Sequence, residues 1–335
     1  MPRLPSGHLL APRLPALALL LACAARPAHC ANTDPLNYPT QPVTLIVPAS
    51  AGGTTDAVAR VLAEALTRRL KQPFVVENRP GANGLLGTAL AARSRPDGYH
   101  LLFTYAATLV ANPRLYSHPG YDPLRDFEPI LQIGRGGNLL LVPAALPVHN
   151  LDELVALVRK QPGQLNYCSW GYGSGGHLAM ASLLRTAQLD MVHIPYKSST
   201  ACLRDLEGGQ ISAAFMDVST AIGPVREGRL RAIAVSADKR LPAWPEVPTL
   251  TESGHPFTAY SWLGLLAPAG TPEAIVRRIG HSAVEAMQEP ATRLRLTPLR
   301  MVDLPLSAHA RFRAHLVEDM AEWGKLLDHL GPETE

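Results

Sequence analysis

A chain of 335 residues, 47% hydrophobic and 18% charged, is long enough for two domains that each bury a core. Its formal charge of +3 traces to Arg3, Arg13 and Arg26, and removing these three of the 31 basic side chains leaves 28 against 28 acidic ones. A nucleic-acid binder shows a basic excess on one face, and this chain has neither that excess nor a basic run.

The first thirty residues read as a secretory leader. Arg3 and Arg13 form a basic start, and Leu14 to Ala25 is an apolar stretch too short to span a bilayer. Ala28 and Cys30 supply the small residues for cleavage before Ala31, so a periplasmic mature chain is expected. Two alternatives are a membrane anchor, disfavoured by length, and a lipoprotein attached at Cys23, for which Leu21 is a poor fit. Cys168 and Cys202 remain in the mature chain. An exported protein can pair them, but one pair is no disulfide framework, and the expectation is two small buried thiols. No Cys or His cluster has zinc spacing, and no cofactor is expected.

In chain order, Val43 to Val47 is a buried strand ended by Pro48. Gly52 and Gly53 form a tight turn, Thr54 or Thr55 caps the following helix, and Asp56 sits in its first turn. Pro73 to Glu77 is a second strand, a helix opens at Gly84, and Tyr99 to Thr104 is a third strand. This alternation predicts a parallel sheet covered on both faces. Ile130 to Ile133 and Leu139 to Val142 are apolar strands flanking Gly134, Gly136 and Gly137, where the chain is expected to cross into a second lobe. There Leu151 to Lys160 is a helix, Leu165 to Ser169 a strand, Gly171 to Gly176 a second Gly-rich turn, and His177 to Ala187 a helix. Met191 to Pro195, a helix from Thr200 to Glu207 and Ile211 to Met216 complete a further β-α-β unit. Pro224 to Arg229 leads into a strand at Leu230. Pro242, Pro245 and Pro248 mark an irregular return segment. Trp262 to Ala267 is a strand, Pro272 to Gln288 a helix, and Ser307 to Leu330 a terminal helix with Phe312, Leu316, Met320 and Trp323 on its core face.

Gly171 to Gly176 matches G-x-G-x-x-G, but a dinucleotide site wants an acidic residue at the end of the next strand, and Asp190 precedes that strand. Ser174 is not in a nucleophile elbow, because Tyr172 stands where Gly is needed. Each Gly-rich turn leads into a helix start, which suits an anion, though a plain capped turn satisfies the same residues.

The chain resembles the Bug, or TctC-type, solute receptors over essentially its whole mature length. The resemblance rests on Tyr38-Pro39, Val47-Pro48 with Ala51, Gly52, Gly53 and Asp56, and the run Glu77-Asn-Arg-Pro-Gly-Ala82. It continues in Pro96-Asp-Gly-Tyr99, Gly173-Ser174 with His177, Pro195-Tyr-Lys197, Gly208-Gly-Gln210, Met216-Asp217, Pro245 to Thr249 and Ala267 to Pro272. Ala51 departs from the Pro found in many members, and Ser198 from a common Gly. The resemblance implies an α/β, two-lobed periplasmic binding protein of type II, Venus-flytrap form, with two crossovers between lobes. Lobe 1 would hold residues 31–137, lobe 2 residues 138–240, and residues 241–335 the return connection with the rest of lobe 1. It further implies a non-enzymatic receptor for a small organic acid or amino acid, partnered by membrane transporter subunits or a sensor protein. The alternative is a secreted hydrolase using Ser174 and His177. Ligand contacts are expected from Ala51, Gly52, Gly53, Thr54, Thr55 and Asp56 in one lobe, with Thr104 and Thr108 at a strand end. From the other lobe they are expected from Ser169, Gly173, Ser174, Gly175, Gly176, His177 and Asp217. His177 is read chiefly as a support for its loop, and Asp217 as a reader of an amine or hydroxyl or as a holder of a loop amide.

Overall fold

The computed structural model describes residues 37–297 and 306–328. The expected leader, with Cys23 and Cys30, lies outside the described residues. The chain begins with β1 (Val43–Val47), α1 (Thr54–Leu70) and β2 (Phe74–Asn78). A 3-10 turn (Ala82–Gly84) follows, then α2 (Leu85–Ala92), β3 (His100–Tyr105), α3 (Ala106–Val110), α4 (Asn112–Leu115) and β4 (Phe127–Gly136). It continues through β5 (Leu139–Pro143), α5 (Leu151–Lys160), β6 (Asn166–Ser169), α6 (Gly175–Ala187) and β7 (Val192–Pro195). Next come α7 (Ser199–Glu207), β8 (Ala214–Met216), α8 (Val218–Arg226) and β9 (Leu230–Val235). The last segment holds β10 (Ser261–Pro268), α9 (Glu273–Gln288), α10 (Pro290–Leu296), β11 (Leu306–Ala308) and α11 (His309–Leu327).

Two sets of strands result. The first is a six-stranded sheet in the order β11-β4-β10-β3-β1-β2. The second is a three-stranded sheet, β8-β5-β9, beside the pair β6-β7, and a single bridge from Tyr167 to Ala213 links β6 to the β8 edge. The parallel sheet read from the sequence is only part of the answer. β1 pairs parallel with β2 and β3, and β6 with β7, but β10 runs antiparallel to both β3 and β4, and β5 antiparallel to β8 and β9. A chain that leaves one sheet, builds a second and returns re-enters in the opposite sense. Local helix–strand alternation does not encode that.

The helices form where apolar residues recur every three to four positions. α1 buries Val58, Val61, Leu62, Ala65 and Leu66 against the first sheet and ends at Lys71 in a left-handed conformation. α5 starts at Asn150, whose side chain accepts the Glu153 N–H at 2.9 Å, while the Glu153 carboxylate accepts the His149 N–H at 2.7 Å. α8 is a helix that the sequence reading leaves out. Its Gly223-Pro224 pair reads as a breaker, yet Pro224 is buried inside the helix. Ser307 pairs as part of β11 rather than opening the terminal helix.

One core packs the first sheet against α1 and α9, and another packs the second against α7, α8 and the Trp244–Val247 segment. The largest core runs continuously from α3 and α11 to α5 and α6. Within it Trp262 packs edge-on against Phe312 and donates its Nε1–H to the buried Asp319 at 2.6 Å. Where the chain passes between the sheets, Ser236 N–H donates to Asn138 O at 3.0 Å and Asn138 N–H to Ser236 Oγ at 2.8 Å. Gly137 makes this crossing possible, since a Cβ there would lie 1.9 Å from Ser236 O.

Cys168 and Cys202 form a disulfide, with Cα atoms 5.8 Å apart. This corrects the reading of two separate thiols. The sequence shows the cysteines 34 positions apart, but α7 packs back onto β6 and sets them side by side in a fully buried position. The bridge thus ties β6 to α7, and both elements lead into the site described next.

Candidate functional site

A cavity of about 1120 Å³ lies between the two sheet systems. Several helices point their N-termini at it. Thr54 of α1, Gly175 of α6, Ser199 of α7 and Val218 of α8 all line it, as does Gly84 just before α2. A helix start leaves N–H groups unsatisfied and carries partial positive charge.

The first loop shows how the sequence builds such an end. Gly52 takes a left-handed conformation with φ of +85° that favours glycine. Its N–H donates to Asp56 Oδ2 at 2.9 Å. Gly53 is extended and caps α1 with no side chain. The N–H groups of Gly53, Thr54 and Thr55 therefore find no acceptor among the described residues. Asp56 faces away from the cavity. Burial alone would raise its pKa, but Arg60, the Gly52 amide and Asn78 outweigh that and hold the carboxylate below its ordinary range. It is a brace for the turn and lies off the cavity wall.

In the second loop Ser174 caps α6, its hydroxyl accepting the His177 N–H at 3.4 Å, and is fully buried. That leaves the Gly175 and Gly176 N–H groups without an acceptor among the described residues, and Gly175 lines the cavity. Gly176 is packed, since a Cβ there would meet Trp170 and Phe215 O at 2.7 and 2.8 Å. The Gly173 N–H donates to His177 Nδ1 at 3.0 Å. With Ser174 capping a helix and His177 occupied by an amide, the pair has no geometry for hydrolysis.

His177 stacks on His193 with ring centroids 4.3 Å apart, between Tyr167 and Tyr172. His193 in turn hydrogen-bonds Ser169 Oγ at 2.8 Å. Desolvation, joined by the neighbouring His193, pushes His177 down to about 3, and desolvation alone pushes His193 down to about 4. Both imidazoles are neutral at neutral pH and form the floor of the loop. Their contribution is fully present above the ordinary histidine value of 6.5 and is lost as pH falls toward about 4. The melting temperature is accordingly expected to be clearly lower at about pH 5 than at about pH 7.5, and His193→Phe should shrink that difference. Equal melting temperatures at the two pH values would rule out a neutral stack.

Of the residues expected at the ligand, the cavity is lined by Ala51, Gly53, Thr54, Thr55, Gly175 and Asp217. Gly52, Asp56, Ser169, Gly173, Ser174, Gly176 and His177 lie behind this surface as supports. Thr104 and Thr108 are fully buried and do not reach it. Their hydroxyls bond each other at 2.6 Å, and Thr108 donates to Tyr105 O at 2.8 Å.

The structure adds residues that the sequence reading passed over. Asn83 adopts a left-handed conformation with φ of 47°, accepts the Tyr105 hydroxyl at 3.1 Å, and donates across the cleft to Tyr172 O at 3.2 Å. The Thr54 hydroxyl forms a short hydrogen bond with the Ser219 hydroxyl, joining α1 to α8. Tyr116, Asn138, Trp170, Lys197 and Ser261 complete much of the wall. Asn83 had a signal, since Asn beside Gly is the residue that tolerates a left-handed turn. Ser219 had none, lying on the helix that was not foreseen.

Among the described residues lining the cavity, only Asp217 and Lys197 bear formal charge, and Lys197 is exposed. No group of three or more His, Cys, Asp or Glu among the described residues could hold a metal ion. No described helix is long and apolar enough to cross a membrane.

Comparison with known proteins gives a consistent result. Protein BugT of Bordetella pertussis is 37% identical over 258 residues, covering 76% of this chain and 78% of BugT. Among solved structures, the periplasmic binding protein BugD is 32% identical with a TM-score of 0.80, covering 89% of this chain and 100% of that one. An R. palustris protein with adipate is 31% identical with a TM-score of 0.81, covering 87% and 97%. The description "Tripartite tricarboxylate transporter family receptor", TctC, matches residues 58–331. The two-lobed α/β architecture, the helix ends gathered around one cavity and these similarities agree, and the chain belongs to the TctC family of solute-binding receptors.

Proposed function

We propose that this protein is an extracytoplasmic receptor that closes its two lobes on a small carboxylate. The observation that carries this is the convergence of the uncapped α1 N–H groups and the Gly175 N–H at the start of α6 on one cavity whose described lining holds only two charged side chains. A carboxylate satisfies those donors and gains from both helix ends without needing a counter-cation. The similar R. palustris proteins were solved with adipate and with malate, both dicarboxylates. The leader over residues 1–30 would deliver the chain to the periplasm. The family to which it belongs suggests hand-over of the ligand to membrane transporter subunits. Ligand contacts are assigned to Ala51, Gly53, Thr54, Thr55, Gly175 and Asp217 from the expected set, joined by Asn83 and Ser219.

The test is a thermal-shift panel of mono-, di- and tricarboxylates, followed by calorimetry on those that act. A ligand at hundredfold excess over its Kd should stabilise the fold by about 2.7 kcal/mol. Small-angle scattering should show contraction on addition of the same compound. A panel in which no carboxylate raises the melting temperature would sink the reading.

A further inference from the structure

Asp217 ends β8 and is the residue immediately before α8, in the position where an aspartate ordinarily accepts the first free amides of the helix. Here it does not, and its carboxyl makes no side-chain cap. Among the described residues its carboxyl also has no hydrogen bond and no ion pair, while its backbone carbonyl accepts the Ala221 N–H at 3.0 Å. Lys197, the other charged group among the described residues of the cavity wall, is exposed and forms no ion pair with it. The carboxyl is therefore neither a cap nor half of a structural salt bridge. It faces the cavity with its hydrogen-bonding capacity unused.

Its placement relative to the first loop is equally specific. The hydrogen bond between Thr54 and Ser219 closes the cleft at the first residue of α1. Asp217 lies two residues before Ser219. The N–H groups proposed to hold a carboxylate and the carboxyl of Asp217 therefore approach the same end of the cavity from opposite lobes. A plain carboxylate seated on α1 would face a second negative group across the cleft, and like charges repel. Burial already disfavours the Asp217 anion and raises its carboxyl to about 6. A ligand with a cationic N–H donor beside its carboxylate removes both penalties, because a charge-assisted hydrogen bond to Asp217 replaces the lost water.

We propose that Asp217 binds a protonated amine on the ligand, so that the cavity selects zwitterionic, amino-acid-type carboxylates over the same acids lacking the amine. This rests on the carboxylate reading above and narrows it. Asp217 is then the specificity residue, while the backbone of the two loops supplies the general anion site.

The experiment is calorimetry on the purified protein at about pH 7.5 with matched pairs, aspartate against succinate and 2-aminoadipate against adipate. In at least one pair the amine-bearing member should bind at least about tenfold more tightly. Asp217→Asn, which keeps size and removes charge, should level that preference, mainly by weakening the amine-bearing partner. If the wild type binds the amine-free acids as tightly or more tightly, the proposal is wrong and the carboxylate reading stands. The same follows if a folded Asp217→Asn variant keeps the full preference. Should no member of either pair bind while the wider carboxylate panel gives a ligand, the amine-bearing analogue of that ligand decides in the same way. If no carboxylate binds at all, both readings fall together. The wild-type comparison stands alone, so a variant that fails to fold does not remove the test.

Discussion

Gly53→Val is expected to lower affinity for the carboxylate ligand by a factor of a hundred or more while leaving the melting temperature of the unliganded protein almost unchanged. The reason lies in the contrast between two adjacent glycines. Gly52 occupies a left-handed conformation, and any side chain there is strained. Gly53 is extended at φ −83°, and a Cβ on it meets only Ser50 O at 3.8 Å, an ordinary contact. A valine at 53 therefore folds without strain but places two methyl groups at the mouth of the α1 N-terminus. A ligand carboxylate kept off two amides loses charge-assisted hydrogen bonds of about 1.5–3 kcal/mol each, and about 1.4 kcal/mol is a factor of ten in affinity. Calorimetry on the variant, with melting curves as the control, reads both halves of the statement. Unchanged affinity would show that the turn only shapes the fold.

The second large effect is on stability. Reducing the disulfide, or replacing both cysteines with alanine, is expected to destabilise the protein by about 3–4 kcal/mol on the chain-entropy account of a loop of this length. That should appear as a drop of several degrees in melting temperature. The double variant should then be indifferent to reductant. Affinity should fall as well, because the bridge joins the strand that leads into the second loop to the helix whose first residues, Ser199 and Thr200, line the cavity. A wild-type melt that ignores reductant would show that packing alone holds β6 and α7 together.

Much of this architecture is readable in the sequence where chemistry is local. Val43 to Gly53 announces a strand, a turn and a helix start because β-branched residues, a proline and paired glycines each carry their own conformational preference. The second Gly-rich turn is legible for the same reason. What fails to show is whatever depends on residues distant in sequence. Thr104 and Thr108 look like cleft residues at a strand end, but their hydroxyls satisfy each other. Asp56 looks like a ligand contact until Arg60 and Asn78 are seen to enclose it. Gly223-Pro224 hides α8 and with it Ser219, although the residue before that helix, Asp217, is visible as a strand-end acid. The pairing of Cys168 with Cys202 depends on how α7 folds back, which no spacing rule supplies.

Among the described residues the cavity wall carries one cation, Lys197, and one carboxyl, Asp217, which offset each other, and this balance has a kinetic consequence. Exposed cations draw anions in over distances comparable to the Debye length, and such steering weakens as salt is added. A site assembled from amide dipoles acts only at contact, so its capture rate is set by diffusion and by the fraction of time the cleft stands open. Residues 31–335, with 28 basic against 28 acidic side chains, add no net attraction of their own. Stopped-flow association should therefore stay nearly flat as ionic strength rises, so that ligand capture is buffered against swings in the salinity of the surroundings.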